Sequence, residues 1–239
     1  MKKQLKLQIP KYRQKYVCFS ACFVNAVWHF NKNLGSLKDL EFKVTREATA
    51  YPYLFILLPK LATIAIKNFG LEPTLYQSKQ SIPEFEEAKK EYDNFGMKFY
   101  KITHLSENRL SYEEEEITRE NYNFLVDKYL KSLKESLSLG LKIKIIKPSS
   151  DILINDLEEG KLSLWVKMLD TYPHSNLLYG YNNIAQSFYF FDPLYGGVMV
   201  KYANVEDYLK SPIMYLGLSL KPKKEIETSC LPHVLGTRL

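Results

Sequence analysis

Cys18 and Cys22, set one helical turn apart in "YVCFSACFVNAVWHF", are the residues best suited to covalent chemistry, with Cys230 the third cysteine of the sequence. A thiol attacks as its thiolate, and a helix N-terminus favours that anion through its unpaired amides and dipole. Cys18 has that placement. Cys22 falls on the apolar stripe with Phe19, Phe23 and Ala26 and reads as a small core residue. Neighbouring Cβ atoms on a helix face are ~5–6 Å apart, whereas a disulfide needs ~3.5–4.5 Å, so the spacing argues against a bridge. A zinc centre made of Cys18, Cys22 and His174 lacks the second Cys or His pair that such sites use.

A nucleophilic thiol needs a base, and His29, His104, His174 and His233 are the candidates. His174 stands apart because it follows a proline and opens an apolar strand in "TYPHSNLLYGYNN", which returns after "NNIAQS" as "FYFFDPLYGG". A hairpin loop centred on Asn183 brings His174 opposite Asp192, where a carboxylate can orient an imidazole. Singly, these residues have plain structural roles as a buried thiol, a half-buried strand histidine and an Asp-Pro turn. Together, a Cys at a helix start, a His at a strand start and an Asp ending the partner strand match the roles of an acyl-transfer triad.

Periodicity names the elements that must position them. Phe19, Cys22, Phe23, Ala26, Val27 and Phe30 have the spacing of a buried stripe and predict a helix over 18–31. A second helical region is expected to start at Thr45 as N-cap and run to Gly70, interrupted around Pro52 and Pro59, with a strand "PTLYQ" after it. The segment Ser81–Leu139 reads as mostly helical around a strand-like "MKFYKI", with Glu113–Glu116 as a solvated loop and helix start. From Leu141 the period changes to short strands, "LKIKIIK", "LSLWVKML", "SNLLYGY", "SFYFFD", "GGVMVKY" and "IMYLGLSL", with a helix "DILINDLEEG" after the first. Helices first and an antiparallel sheet second make an α+β fold, expected as one domain over residues 1–220 with a helical part to about 140 and a peripheral tail at 221–239.

Composition narrows the classes. The chain has 239 residues and 46% hydrophobic content, enough for a substantial core. Its longest apolar run, Tyr51–Leu58, is too short to span a bilayer, and the N-terminal segment has no apolar core of a secretory signal, so no membrane association is expected. Few cysteines point to a reducing, cytoplasmic compartment. The net charge of +6 is scattered along strand and helix faces with no basic block interleaved with aromatics, which argues against nucleic-acid binding.

The stretch "IPKYRQKYVCFSAC" resembles the nucleophile segment of the C39-like branch of papain-like cysteine peptidases, and "PHSNLLYGYNN…FYFFDP" resembles that branch's histidine and aspartate segments. "TREATAYPYLF" looks like the Arg-Glu-Ala-Thr element of one C39-like subfamily. Phe19-Ser20 stand where the family has Gly-Pro, Gln14 lies closer to the cysteine than is usual, and Ser175 replaces an aromatic. The resemblance implies a papain-like fold, with Cys18 as nucleophile, His174 as base, Asp192 orienting it and Gln14 as an oxyanion-hole donor. It further implies a Cys18–His174 ion pair, a covalent acyl-enzyme on a peptide or isopeptide substrate, and no metal or organic cofactor. Release of the acyl group by an amine instead of water, and a non-catalytic peptide-binding member of the fold, are the alternatives. Arg46 and Glu47 belong to the subfamily-like element and are candidates for substrate binding or for a solvated first helical turn. The positive charge makes an acidic peptide tail a candidate substrate.

Overall fold

The computed structural model describes residues 2–79, 82–94, 96–169, 172–210 and 216–223. Its first helix, α1 (Cys18–Phe30), starts at the nucleophile candidate as the apolar stripe predicts, and residues 20–27 are all buried. Helix α2 (Leu37–Ala48) is capped by Ser36, whose side chain accepts from the Asp39 amide, so Thr45 lies inside this helix and does not begin one. Helix α3 (Leu58–Phe69) takes Pro59 in its first turn, where no amide is needed, and ends at Gly70 with φ 62°. The break between α2 and α3 is therefore wider than the prolines alone suggest.

The main sheet runs β5 (Lys142–Ile145), β2 (Leu71–Gln77), β10 (Leu216–Pro222), β6 (Leu162–Leu169), β7 (Tyr172–Asn182), β8 (Ser187–Asp192), β9 (Gly196–Lys201). Strand β1 (Gln4–Lys6) pairs with the far end of β7, beyond the stretch that β6 covers. All pairings are antiparallel except β2 with β5. The expected α+β class holds: the expected strand "PTLYQ" is part of β2, and the unforeseen strand of this sheet is β1, which precedes the helical part. Strand β10 also reaches Pro222, past the predicted boundary at 220, and residues 224–239, with Cys230 and His233, lie outside the described residues.

Side chains alternate across these strands and create two cores. Leu164, Val166, Leu177, Tyr179 and Phe191 meet α1, α2 and α3 on one face. Trp165, Leu178, Phe188 and Phe190 meet α6 (Ser150–Glu158) and α7 (Val205–Tyr208) on the other. Gly217 makes the middle of the sheet possible, because a Cβ there would lie 2.8 Å from the Trp165 ring.

A separate hairpin, β3 (Phe99–Ser106) and β4 (Arg109–Glu115), forms its own cluster with α4 (Phe85–Asn94) and α5 (Arg119–Ser138). Here the acidic run departs from expectation. Glu113–Glu115 are strand residues, with Glu114 and Glu115 paired to Lys98 and Lys101, and the following helix starts only at a Thr118–Asn121 capping box. Cross-strand lysines offset a charge density that a strand would otherwise disfavour. No described helix is long and apolar enough to cross a membrane.

Candidate active site

The extended segment 12–17 leads the chain into α1, and two buried side chains fix it. Asn25 accepts from the Tyr12 amide and donates to the Tyr12 carbonyl, both at 2.8 Å. Glu41, fully buried on α2, accepts from the amides of Lys15 (2.9 Å), Tyr16 (2.9 Å) and Val17 (3.1 Å) and from the Tyr12 hydroxyl (2.8 Å). One carboxylate thus satisfies the amides just before a helix whose N-cap, Val17, offers no side-chain acceptor. Burial pushes the Glu41 carboxyl upward, and the amide and hydroxyl bonds offset that only in part.

Cys18 is buried, with 7% exposure, and the backbone amides of Ser175, Phe19 and Cys18 itself favour its anion. Burial pushes the thiol up to about 12, the nearby Asp192 charge adds to that rise, and the backbone amides offset it only in part. The helix terminus does help the anion, as its position suggested, but desolvation is the larger effect. Cys22 is fully buried in the core as expected, donates to the Ser175 carbonyl at 3.3 Å, and forms no bridge with Cys18.

His174 Nε2 lies 3.0 Å from Asp192 Oδ1, with both side chains fully buried. The carboxylate only accepts, so Nε2 carries the hydrogen and Nδ1 keeps its lone pair in the neutral ring. Nδ1 is buried with no hydrogen-bond partner. The pairing was reached by a different register from the expected one. The hairpin turns at 183–186, and a bulge between Leu178 and Gly180 leaves Leu177 opposite Phe191, so His174 is diagonal to Asp192. The slip is by two residues, which preserves the sheet face and hence the contact.

Asp192 also closes its own turn, accepting from the Leu194 (2.9 Å) and Tyr195 (3.2 Å) amides. Burial raises its carboxyl, but the His174 bond and charge and these amides outweigh burial and hold it down to about 2. Its second oxygen, Oδ2, lies 3.3 Å from Lys167 Nζ, an ion-pair distance without hydrogen-bond alignment. Lys167 is the cross-strand partner of His174, and the two meet different oxygens of the Asp192 carboxylate.

Gln14 donates its amide to the Pro193 carbonyl at 3.2 Å, which ties it to the turn after Asp192. Its Oε1 is buried without a partner. Turning the side-chain amide over exchanges oxygen and nitrogen at no steric cost and presents a donor at that position. Arg46 and Glu47 are exposed and line a groove of about 370 Å³ between α2 and α3 with Leu40, Lys43, Val44, Ile64 and Asn68, a lining that contains no triad residue.

Glu41 and Lys167 were missed in the sequence. Glu41 falls on the apolar stripe Leu37–Val44–Ala48, where a charge signals a buried role. Lys167 alternates with Trp165 in β6 and needed the β6–β7 register to be recognised. Set against family models, curated proteins and solved structures, the chain matches none of them.

Proposed function

We propose that this chain is a cysteine peptidase or amide hydrolase of papain-like arrangement, with Cys18 as nucleophile, His174 as base and Asp192 as the residue that orients it. The observation that carries this reading is His174. Its Nε2 is bound to a buried carboxylate, its Nδ1 is left buried without a partner, and the next residue's carbonyl accepts from Cys22, one turn after Cys18 on α1. A histidine with a purely structural role has both nitrogens satisfied or solvated. Cys18 and Nδ1 are not hydrogen-bonded here, and contacts of this kind tighten in the substrate complex.

In the reaction, Nδ1 takes the Cys18 proton as sulfur attacks the amide carbonyl carbon, and the carbonyl π electrons move onto oxygen. The Cys18 amide and the Gln14 side-chain amide stabilise that oxyanion, a contribution of roughly 3–4 kcal/mol per donor in comparable sites. The C–N bond then breaks, and the amine leaves with the proton held by His174. Water, deprotonated by His174, attacks the thioester and releases the acid, regenerating the thiol. An amine in place of water yields a new amide from the same intermediate.

The test is a peptide library that includes polyglutamyl peptides, followed by mass spectrometry for cleaved products and for an acyl group on Cys18. Cleavage that disappears in both Cys18→Ala and His174→Ala supports the reading. Cleavage that persists in Cys18→Ala refutes it, and binding without turnover by the unmodified chain identifies a peptide-binding protein instead.

A further inference from the structure

We infer that Lys167 is a brake on the Cys18–His174 pair: by pairing with Asp192 from the far side of its carboxylate, it opposes transfer of the Cys18 proton to His174. The inference rests on the catalytic reading above and concerns the regulation of that site. Asp192 divides its two oxygens between His174 Nε2 at 3.0 Å and Lys167 Nζ at 3.3 Å. A carboxylate facing an imidazole alone stabilises the imidazolium, and an ammonium on its other oxygen cancels much of that effect.

Lys167 is held in this position. Its side chain is 11% exposed, and its ammonium stands 4.7 Å over the Tyr208 ring and donates to the Tyr208 hydroxyl at 3.3 Å. Tyr208 in turn donates to Asn176 Oδ1 at 3.2 Å. Among the described residues, the groups in contact with the pair are Lys167 from β6, Tyr172 and His174 from β7, Asp192 from β8, Tyr208 from α7, and Cys18 and Cys22 from α1, while Arg13 lies beside Gly196, the register partner of Asp192. Lys167 is the only cation among those in contact with the pair, besides a protonated His174. It is in direct register with His174, whereas the charge acting on Cys18 is that of Asp192. Its repulsion of an imidazolium therefore exceeds its attraction for a thiolate, and the charged pair is disfavoured.

Iodoacetamide labelling at pH 7, mapped by mass spectrometry, tests this without a known substrate. Rates at Cys18 and Cys22 are compared in the unmodified chain, Lys167→Met, Lys167→Arg, His174→Ala and the Lys167→Met/His174→Ala pair. The expected result is that Lys167→Met labels Cys18 about tenfold faster with Cys22 unchanged. Lys167→Arg should behave as the unmodified chain, and the acceleration should be absent when His174 is Ala. A Cys18 rate that stays the same or falls in Lys167→Met overturns the inference. So does a parallel rise at Cys22, which reports a loosened fold, or an acceleration that survives His174→Ala. If His174→Ala alone leaves Cys18 labelling unchanged, the underlying Cys–His reading fails and the inference with it, which separates the two failures.

Discussion

Replacing Glu41 should release the segment that delivers Cys18, and the cost can be worked from its partners. The carboxylate accepts three backbone amides and the Tyr12 hydroxyl, and Tyr16 among these is itself buried. Each such donor left unsatisfied costs about 1–3 kcal/mol when buried, less where water can reach it. Removing a buried charge returns part of its own desolvation cost, so Glu41→Ala is expected to lose about 4 kcal/mol. Glu41→Gln, which retains one acceptor oxygen but presents an NH2 group to donors, should lose about 2 kcal/mol. Urea unfolding at pH 7 measures both. Because the Glu41 carboxyl is held above its ordinary value, the charged form is disfavoured in the fold. The stability linked to this group is therefore greatest below the ordinary glutamate range and declines as pH rises through the elevated value. Both variants should accordingly show a weaker decline over that window than the unmodified chain. A loss below about 1 kcal/mol in Glu41→Ala would show that water replaces the carboxylate, and the anchoring argument would be wrong.

Asp192 works with the opposite sign. Its carboxyl falls from 3.8 to about 2, so its stabilising contribution is present above pH 4 and is lost as pH falls through the folded value. That shift corresponds to about 2 kcal/mol, and Asp192→Asn should be less stable by this amount at neutral pH yet equal to the unmodified chain near pH 2 in urea titrations. At the centre of the sheet, Gly217→Ala places a Cβ against the Trp165 ring, which is stacked on Tyr76 at 5.5 Å and cannot withdraw. Thermal melts should show a loss of about 2 kcal/mol, and an unchanged melting temperature would show that the ring has room to move.

The parts legible in the sequence were those written in local periodicity. The α1 stripe, the helix "DILINDLEEG" and the succession of short strands after Leu141 correspond to elements in the same places. Ser36 was overlooked as a cap because the polar face Lys38–Asp39 precedes the first clear apolar stripe, which displaced the expected helix start to Thr45. With the helix start placed at Thr45, Glu41 fell outside the expected helix and its grip on the nucleophile segment was invisible. The His174–Asp192 contact was reached from a loop centre that put the strands two residues out of register, and it held because the sheet face is insensitive to an even slip. Lys167 required knowledge of which strand lies beside β7, a long-range pairing that local pattern does not encode. The burial of Cys18 was illegible for a related reason: a helix terminus can be read from sequence, but the desolvation that pushes this thiol up cannot.

Strand β10 follows β9 in the chain but lies between β2 and β6. Until it is made, a ribosome has released β2 and β5 on one side and β6 to β9 on the other with no strand joining them, each with a hydrogen-bonding edge open. The inner edge of β6 backs directly onto the strand that bears His174. Completion of the sheet is thus a late, long-range event, paid for in loop-closure entropy, and it should set the folding rate. It also marks the stage at which the chain is most exposed to edge-to-edge association, since two apolar strand edges wait for one segment to fill the gap.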